Sequence, residues 1–467
     1  MAGLIKRQFV ILGAGPTGLG AALRLQELSE TDFLVVDQAN AAGGLASSFV
    51  DEAGFTWDLG GHVQFSHYRK FDEYMDLALG SDGWLQHQRE SWVWICDRFV
   101  PYPFQYNLHR LPKAERWECV RGLLEASRAA AERPANFREW ILATFGHGIA
   151  EVFLLPYNFK VWAYPPEMMS SGWVGERVAV PPVDKVINGV CLEQDEVSWG
   201  PNNTFRFPKR GGTGSIWRAL AQRLPEAHLR LGDGVRGIDA RVREIQLRSG
   251  LRIRYEHLLS SMPVDRLSAM IAEPELAAVA GRLRYSGTHV VGIGLDGEPP
   301  EHLRTKCWMY FPEANCPFYR VTVFSNYSPY NTPRPGQTWS LMAEVSQSPY
   351  KPVDRETIVE EVVRGMLATM LIRPTDQVLS RCHRFLRHGY PTPSLDRDEI
   401  LASVLPRLER LWIFSRGRFG AWKYEVSNQD HAFAQGYECV SRLVRGGNEE
   451  DEPTLNDPNR VNARRDN

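Results

Sequence analysis

The chain opens with a short unbroken apolar run, Phe9–Leu12 (FVIL), closed by Gly13. Such a run without alternation suits a strand buried on both faces. Apolar residues then return at helical spacing through Leu28, with Ala21, Ala22, Leu25 and Leu28 on one side. A second unbroken run, Phe33–Val36 (FLVV), ends at Asp37. This strand–helix–strand order predicts an α/β unit with parallel strands. Helical patterns follow between residues 86 and 204, for example Ala114–Arg133 and Phe137–Leu155. Near Phe205–Arg223 the pattern returns to the first unit, and Leu258–Pro263 and residues 411–414 (LWIF) read as further buried strands. Residues 266–404 carry strand-like runs such as Thr288–Leu295, Phe318–Phe324 and Trp339–Val345, which suggest an antiparallel sheet. A last helix is expected from Asn428-Gln429-Asp430, good N-cap chemistry, towards Arg445. Residues 447–467 are polar and charged and are expected to be disordered.

The expected fold class is therefore α/β. A discontinuous Rossmann-like unit (1–85, 205–265 and 405–446) holds an inserted helical unit (86–204) and an antiparallel sheet unit (266–404). Between the first strand and helix stands Gly13-Ala14-Gly15-Pro16-Thr17-Gly18, a GxGxxG pattern. Gly13 suits the tight turn, Gly15 lets backbone approach a pyrophosphate, and Gly18 allows close helix–strand packing. The helix N-terminus offers free N–H groups and a positive dipole end to phosphates. Asp37 lies about 20 residues further on, where an acid meets ribose hydroxyls. The continuation Ala42-Gly43-Gly44-Leu45-Ala46-Ser47-Ser48, then Gly60-Gly61-His62, resembles FAD-binding oxidases and mutases, which implies close backbone contact with FAD.

Longer strings narrow the resemblance. They include Gly60-Gly61-His62-Val63-Gln64-Phe65-Ser66-His67-Tyr68, Val100-Pro101-Tyr102-Pro103-Phe104-Gln105, Pro156–Ala163 (PYNFKVWA) and Gly175-Glu176-Arg177. Cys316-Pro317-Phe318-Tyr319-Arg320, Asn326–Asn331 (NYSPYN), His388–Pro393 (HGYPTP), Ser415–Gly420 (SRGRFG), Tyr424 and Asn428–His431 complete the set. Together, from about residue 8 to about residue 445, they resemble the UDP-galactopyranose mutase family, and its eukaryotic branch more than the bacterial one. The 332–338 loop (TPRPGQT) and the tail after Gly446 are short for that branch.

The resemblance implies an isomerase that interconverts UDP-galactopyranose and UDP-galactofuranose. It implies reduced FAD as the active cofactor, a covalent adduct between flavin N5 and the sugar, and NADPH or NADH as reductant. It implies catalytic roles for His62, Arg177 and Arg320, the two arginines holding the diphosphate with Tyr390 and Tyr424. Tyr102, Phe104, Gln105, Phe153, Tyr157 and Asn158 are implied around the uracil, although Phe104 and Phe153 read equally well as core. Phe65, Trp162, Asn202, Trp308, Tyr310 and Tyr327 are implied near substrate, and Arg89 and Ser91 near the flavin. Gly13, Gly15, Pro16, Thr17, Gly18, Asp37, Gly44, Leu45, Ser47, Gly60, Gly61, His62, Arg418, Asn428 and Gln429 are implied at the cofactor. Gly172 and Gly175 flank Trp173 in a segment suited to a mobile flap.

The rival readings are a mutase of a related nucleotide sugar, an FAD-dependent oxidase or desaturase of the amine-oxidase type, and a non-catalytic binding protein. A net charge of −2 gives no case for nucleic acid or an anionic membrane as partner. The seven cysteines are scattered with no CxxC pair, so neither a disulfide framework nor a zinc site is expected. No segment reads as a membrane span or signal peptide, and a cytoplasmic, soluble protein is expected, with oligomerisation possible.

Overall fold

A computed structural model describes residues 3–129, 133–197 and 203–463. The N-terminal apolar runs form β1 (Leu4–Leu12) and β2 (Phe33–Val36), joined by α1 (Pro16–Glu27). β1 lies parallel to β2 on one edge and to Arg252–Ser260 on the other, with Val10 opposite both Leu34 and Leu258. Being flanked on both edges and covered on both faces, Phe9–Leu12 has no polar position to alternate with. Ile413–Ser415 adds a further parallel strand, and a short antiparallel extension, Val235–Asp239 with Glu244–Leu247, closes one end. α1 packs against the long helix Gln429–Arg445. Gly20 and Gly436 permit this contact, since a Cβ on Gly436 would stand 2.0 Å from the Thr17 carbonyl.

The second sheet runs Val378–Pro391, Tyr285–Asp296, Thr338–Gln347, Arg320–Val323, Trp308–Tyr310, Ser91–Ile95 and Arg98–Pro101. It is antiparallel except where Trp308–Tyr310 meets Ser91–Ile95. Those last two strands were expected in the helical unit. They form a hairpin whose turn residues, Cys96 and Asp97, both have positive φ. Cys-Asp is not the Asn-Gly or Asp-Gly signature of that turn, so the sequence hides it. After two short 3₁₀ turns at Phe104–Tyr106 and Leu108–Arg110, α-helical structure starts at Lys113–Arg128 and continues through Phe137–Ile149, a π-helical turn at Ala150–Leu154 and Leu155–Trp162. Phe137–Trp162 is long and apolar enough, by length and composition, to cross a membrane, contrary to the sequence reading. Phe137, Ile141, Phe145 and Ile149 pack into the core of the helical unit, as a core helix does.

Two boundaries move. Val264–Ala269, Pro274–Ala280 and Arg397–Arg410 all pack on the first sheet, which carries that unit beyond the expected limits at 265 and 405. The tail expected to be disordered is also folded as far as Ala463. It forms short helical turns at Glu449–Asp451, Pro453–Asn456 and Pro458–Asn462. Glu452 is fully buried and pairs with Arg416 and Arg442. Proline opens the second and third turns, and Asp457 caps the last by accepting from the Arg460 N–H at 3.2 Å. Order here comes from caps and ion pairs together with two buried apolar side chains, Leu455 and Val461, too few for an apolar count to register.

Candidate active site

The glycine turn sits at the C-terminal end of β1. A Cβ on Gly18 would stand 1.8 Å from the Gly13 carbonyl, so only glycine lets α1 begin this close to the strand. Gly15 is the N-cap, Pro16 occupies the first helical turn, and no side chain caps the N–H groups there. Thr17 lies against Gly417 across the turn, where a Cβ would meet its hydroxyl at 2.2 Å. Gly44 faces Gly15 across the second turn, with a would-be Cβ on Gly15 3.6 Å from the Gly44 Cα. Leu45 lies in the short helical turn after Gly43, and the Ser47 carbonyl accepts from the Leu59 N–H. Asp37, ending β2, accepts from the Ala14 N–H at 2.7 Å and the Ala39 N–H at 2.8 Å, which ties both turns to it. A cradle of bare backbone, a helix N-terminus and a half-exposed acid fits the dinucleotide part of FAD.

Across the cleft, the second sheet and the helical unit supply a wall of aromatic rings. The π-helical turn and the helix after it set Phe153 and Tyr157 one turn apart, stacked at 5.2 Å. Tyr157 meets Tyr310 at 5.3 Å, and Tyr310 meets Tyr102 at 5.1 Å. The Trp308 indole donates to the Tyr310 hydroxyl at 2.6 Å. Phe104 is fully buried beneath Phe153, at 4.7 Å. Gln105 donates to the Ala179 carbonyl, leaving its own Oε1 buried without a protein partner. Asn158 turns its amide to the Leu154 carbonyl at 2.8 Å. Burial pushes the phenols of Tyr102, Tyr157 and Tyr310 up, so all three stay protonated donors at neutral pH.

Three guanidiniums gather around Tyr390 and Tyr424, whose ring centroids lie 5.9 Å apart. Arg418 lies over Tyr390 at 4.8 Å and is held by the Gly389 carbonyl and by Ser427. Arg177 lies over Tyr424 at 4.8 Å and donates to the Glu425 carbonyl at 2.8 Å, with its Nε buried and unpartnered. Trp162 packs edge-on against Tyr390 and Tyr424 and closes this end. Arg320 completes the group. Both its Nε and a terminal amine donate to Glu344, at 2.9 and 2.8 Å.

Glu344 was not singled out by sequence. It is 2% exposed and accepts from Arg320, from the Tyr319 hydroxyl at 2.7 Å and from the Gly61 N–H at 2.9 Å. Burial alone would raise its pKa. Arg320 and these hydrogen bonds outweigh burial and hold it below the usual glutamate range. The available signal was one acid inside the largely apolar run Trp339–Val345, since buried carboxylates are rare unless paired.

His62 lies beside this carboxylate, on the Gly60–Gly61 loop. Burial pushes its pKa down to about 4, with Glu344 opposing and Arg320 and Arg418 assisting, so the ring is neutral near pH 7. Its Nδ1 is buried with no hydrogen-bond partner among the described residues. Phe65 stands edge-on to His67 at 5.7 Å, and His67 is pinned to Asp430 at 2.8 Å. Tyr327 is fully buried among Phe205, Phe207 and Phe324. Asn428 caps the last helix by position, and the Gln429 side chain is taken by the Trp217 indole at 2.7 Å. Asn202 lies outside the described residues.

A family model for flavin-containing amine oxidoreductases matches residues 16–411. A solved structure of reduced UDP-galactopyranose mutase is 47% identical to this chain, with a TM-score of 0.95. That match covers 99% of this chain and 98% of the other. A candidate protoporphyrinogen oxidase from Exiguobacterium sp. 255-15 is 15% identical with a TM-score of 0.73, over 95% of this chain and 100% of that one. A putrescine oxidase bound to putrescine is 14% identical with a TM-score of 0.64, again over 95% and 100%. These two show a shared fold alone. The chain therefore belongs to the family of flavin-containing amine oxidoreductases and, within that family, with the UDP-galactopyranose mutases.

Proposed function

We propose that the protein interconverts UDP-galactopyranose and UDP-galactofuranose with FAD in its reduced form. The observation that carries this reading is the group of Arg177, Arg320 and Arg418 around the Tyr390–Tyr424 pair, beside a glycine cradle suited to FAD. An amine oxidase needs a pocket that welcomes an amine. Three arginines would repel one, whereas they suit a diphosphate.

When bound and reduced, FAD supplies a nucleophilic ring nitrogen that stands in for UDP at the anomeric carbon. The chain's own residues supply position and charge. Arg177, Arg320 and Arg418 stabilise the diphosphate as negative charge builds on it, and Tyr390 and Tyr424 donate hydrogen bonds to it. Tyr102, Phe153 and Tyr157 offer ring faces and edges to the base. Trp162 and Trp173 exclude water, so UDP stays bound while the sugar rearranges. Neutral His62 adds no charge beside the flavin ring. A nicotinamide donor, NADPH or NADH, is the proposed source of the two electrons. Seven free thiols support a reducing compartment such as the cytoplasm.

The test is an anaerobic incubation of FAD-loaded protein with dithionite and either UDP-galactose isomer, followed by chromatography. Both isomers should reach one common ratio, and oxidised enzyme should leave them unchanged. Stoichiometric oxygen consumption with an amine, and no isomerisation, would overturn the reading.

A further inference from the structure

The C-terminal turns reach the cationic end of the site. Pro458–Asn462 closes one side of a cleft of ≈ 320 Å³ whose other walls include Trp173, Gly175, Arg177 and Glu425. Within it, the Asn462 amide donates to the Glu425 carbonyl at 2.9 Å. That same oxygen accepts the Arg177 guanidinium. The Asn462 carbonyl oxygen meets His431 Nε2 at 3.0 Å, and His431 adjoins Asp430, which pins His67. Arg397 grips the Glu425 carboxylate through both oxygens, at 2.8 and 2.9 Å, from the opposite side. Asn462 thus fixes the one backbone oxygen that holds Arg177 over Tyr424. The tail itself is anchored elsewhere, by Glu452 on Arg416 and by Thr454 on Glu438 and Tyr68. Removing Asn462 alone therefore leaves the anchor in place.

We propose that Asn462 is a positioning residue, through which the C-terminal turn orients the Glu425 carbonyl and so seats Arg177 for a nucleotide diphosphate. The inference rests on the reading above. Arg177 stands two residues beyond Gly175, and among the described residues the Glu425 carbonyl and the Tyr424 ring are what hold its side chain. A preorganised cation binds an anion more tightly than a wandering one, because less ordering is left for the binding step.

The experiment is a double-mutant cycle on the FAD-loaded full chain, read by titration with UDP and by kinetics. Asn462→Ala and Asn462→Leu should each weaken UDP binding about 5-fold and raise KM similarly, with kcat falling by no more than about 5-fold, since the same guanidinium meets the charge that builds on the diphosphate. Leu keeps the bulk of the side chain and removes both hydrogen bonds. In an Arg177→Ala background the same substitutions should change UDP affinity by less than about 1.5-fold, because no guanidinium remains to be seated. Flavin content and melting temperature should stay at wild-type values. Equal losses in both backgrounds, or a lowered melting temperature with unchanged UDP affinity, would make Asn462 a merely structural residue and overturn the proposal. A wild-type chain that binds UDP but isomerises nothing would instead refute the function and leave the seating of Arg177 standing.

Discussion

Arg320 is bound to the protein before any substrate arrives, and this decides what its substitutions should do. Replacing it with alanine leaves Glu344 buried without its charge partner, a change that typically costs about 3–5 kcal/mol. Lost activity in that variant would mix two causes. Lysine keeps the charge but cannot form the two-pronged contact. Arg320→Lys should therefore stay within a few degrees of the wild-type melting temperature and keep its flavin spectrum, while kcat falls at least ~10²-fold. Thermal scans and turnover on the same preparation separate the two effects. At this scale the sequence was informative where a residue sat in a recognisable string, as Arg177, Tyr390 and Tyr424 did. It said little about Glu344, whose importance comes from three partners at positions 61, 319 and 320 that only the fold brings together.

Among the elements, β1, the glycine turn and α1 were legible because each obeys a local rule: an unbroken apolar run, close backbone contact, and helical spacing. The last of these contacts can be tested directly. Gly18→Ala places a methyl group 1.8 Å from the Gly13 carbonyl and should force α1 off the strand. The variant should purify with little flavin absorbance near 450 nm, or insoluble, at roughly a tenth of wild-type cofactor content or less. Gly237→Ala, where a Cβ meets nothing within 4 Å, is the matched control and should stay yellow. Elements held by long-range partners were harder to read. The 91–101 hairpin has an unconventional turn and finds its sheet through Trp308–Tyr310, more than two hundred residues later. The C-terminal turns look like a charged linker until Arg416 is seen to need Glu452.

For the molecule as a whole, buried titratable groups set an acid limit. Burial holds His431 at about 4 and His62 at about 4, below the ordinary 6.5. A histidine depressed in the fold contributes stability that is complete above about 6.5 and is lost as pH falls through 4. Asp430, held at about 2 by His431 and His67 against its own burial, contributes above 3.8 and fails only on approach to 2. Asp58 works the other way. Burial raises it to about 6, so its contribution is complete below 3.8 and lost as pH rises through 6. The histidines outnumber it, so stability should fall from pH 6.5 to 4 by up to roughly 1.4 kcal/mol per pH unit for each fully buried imidazole, and the melting temperature should fall with it. His431→Gln should flatten that slope in a thermal-shift series across the same buffers. A slope unchanged by the substitution would remove His431 from this account.

The carboxylate of Glu344 grips both the Gly61 amide and the Arg320 guanidinium, the one on the loop proposed for the flavin and the other proposed for the phosphates. A diphosphate that draws Arg320 towards itself must loosen that grip and leave the Glu344 carboxylate freer to accept from the Gly61 N–H. Occupancy of one half of the cleft is therefore felt in the other without any hinge or domain movement. The signal needs only one side chain, shared between two neighbours and unable to serve both equally.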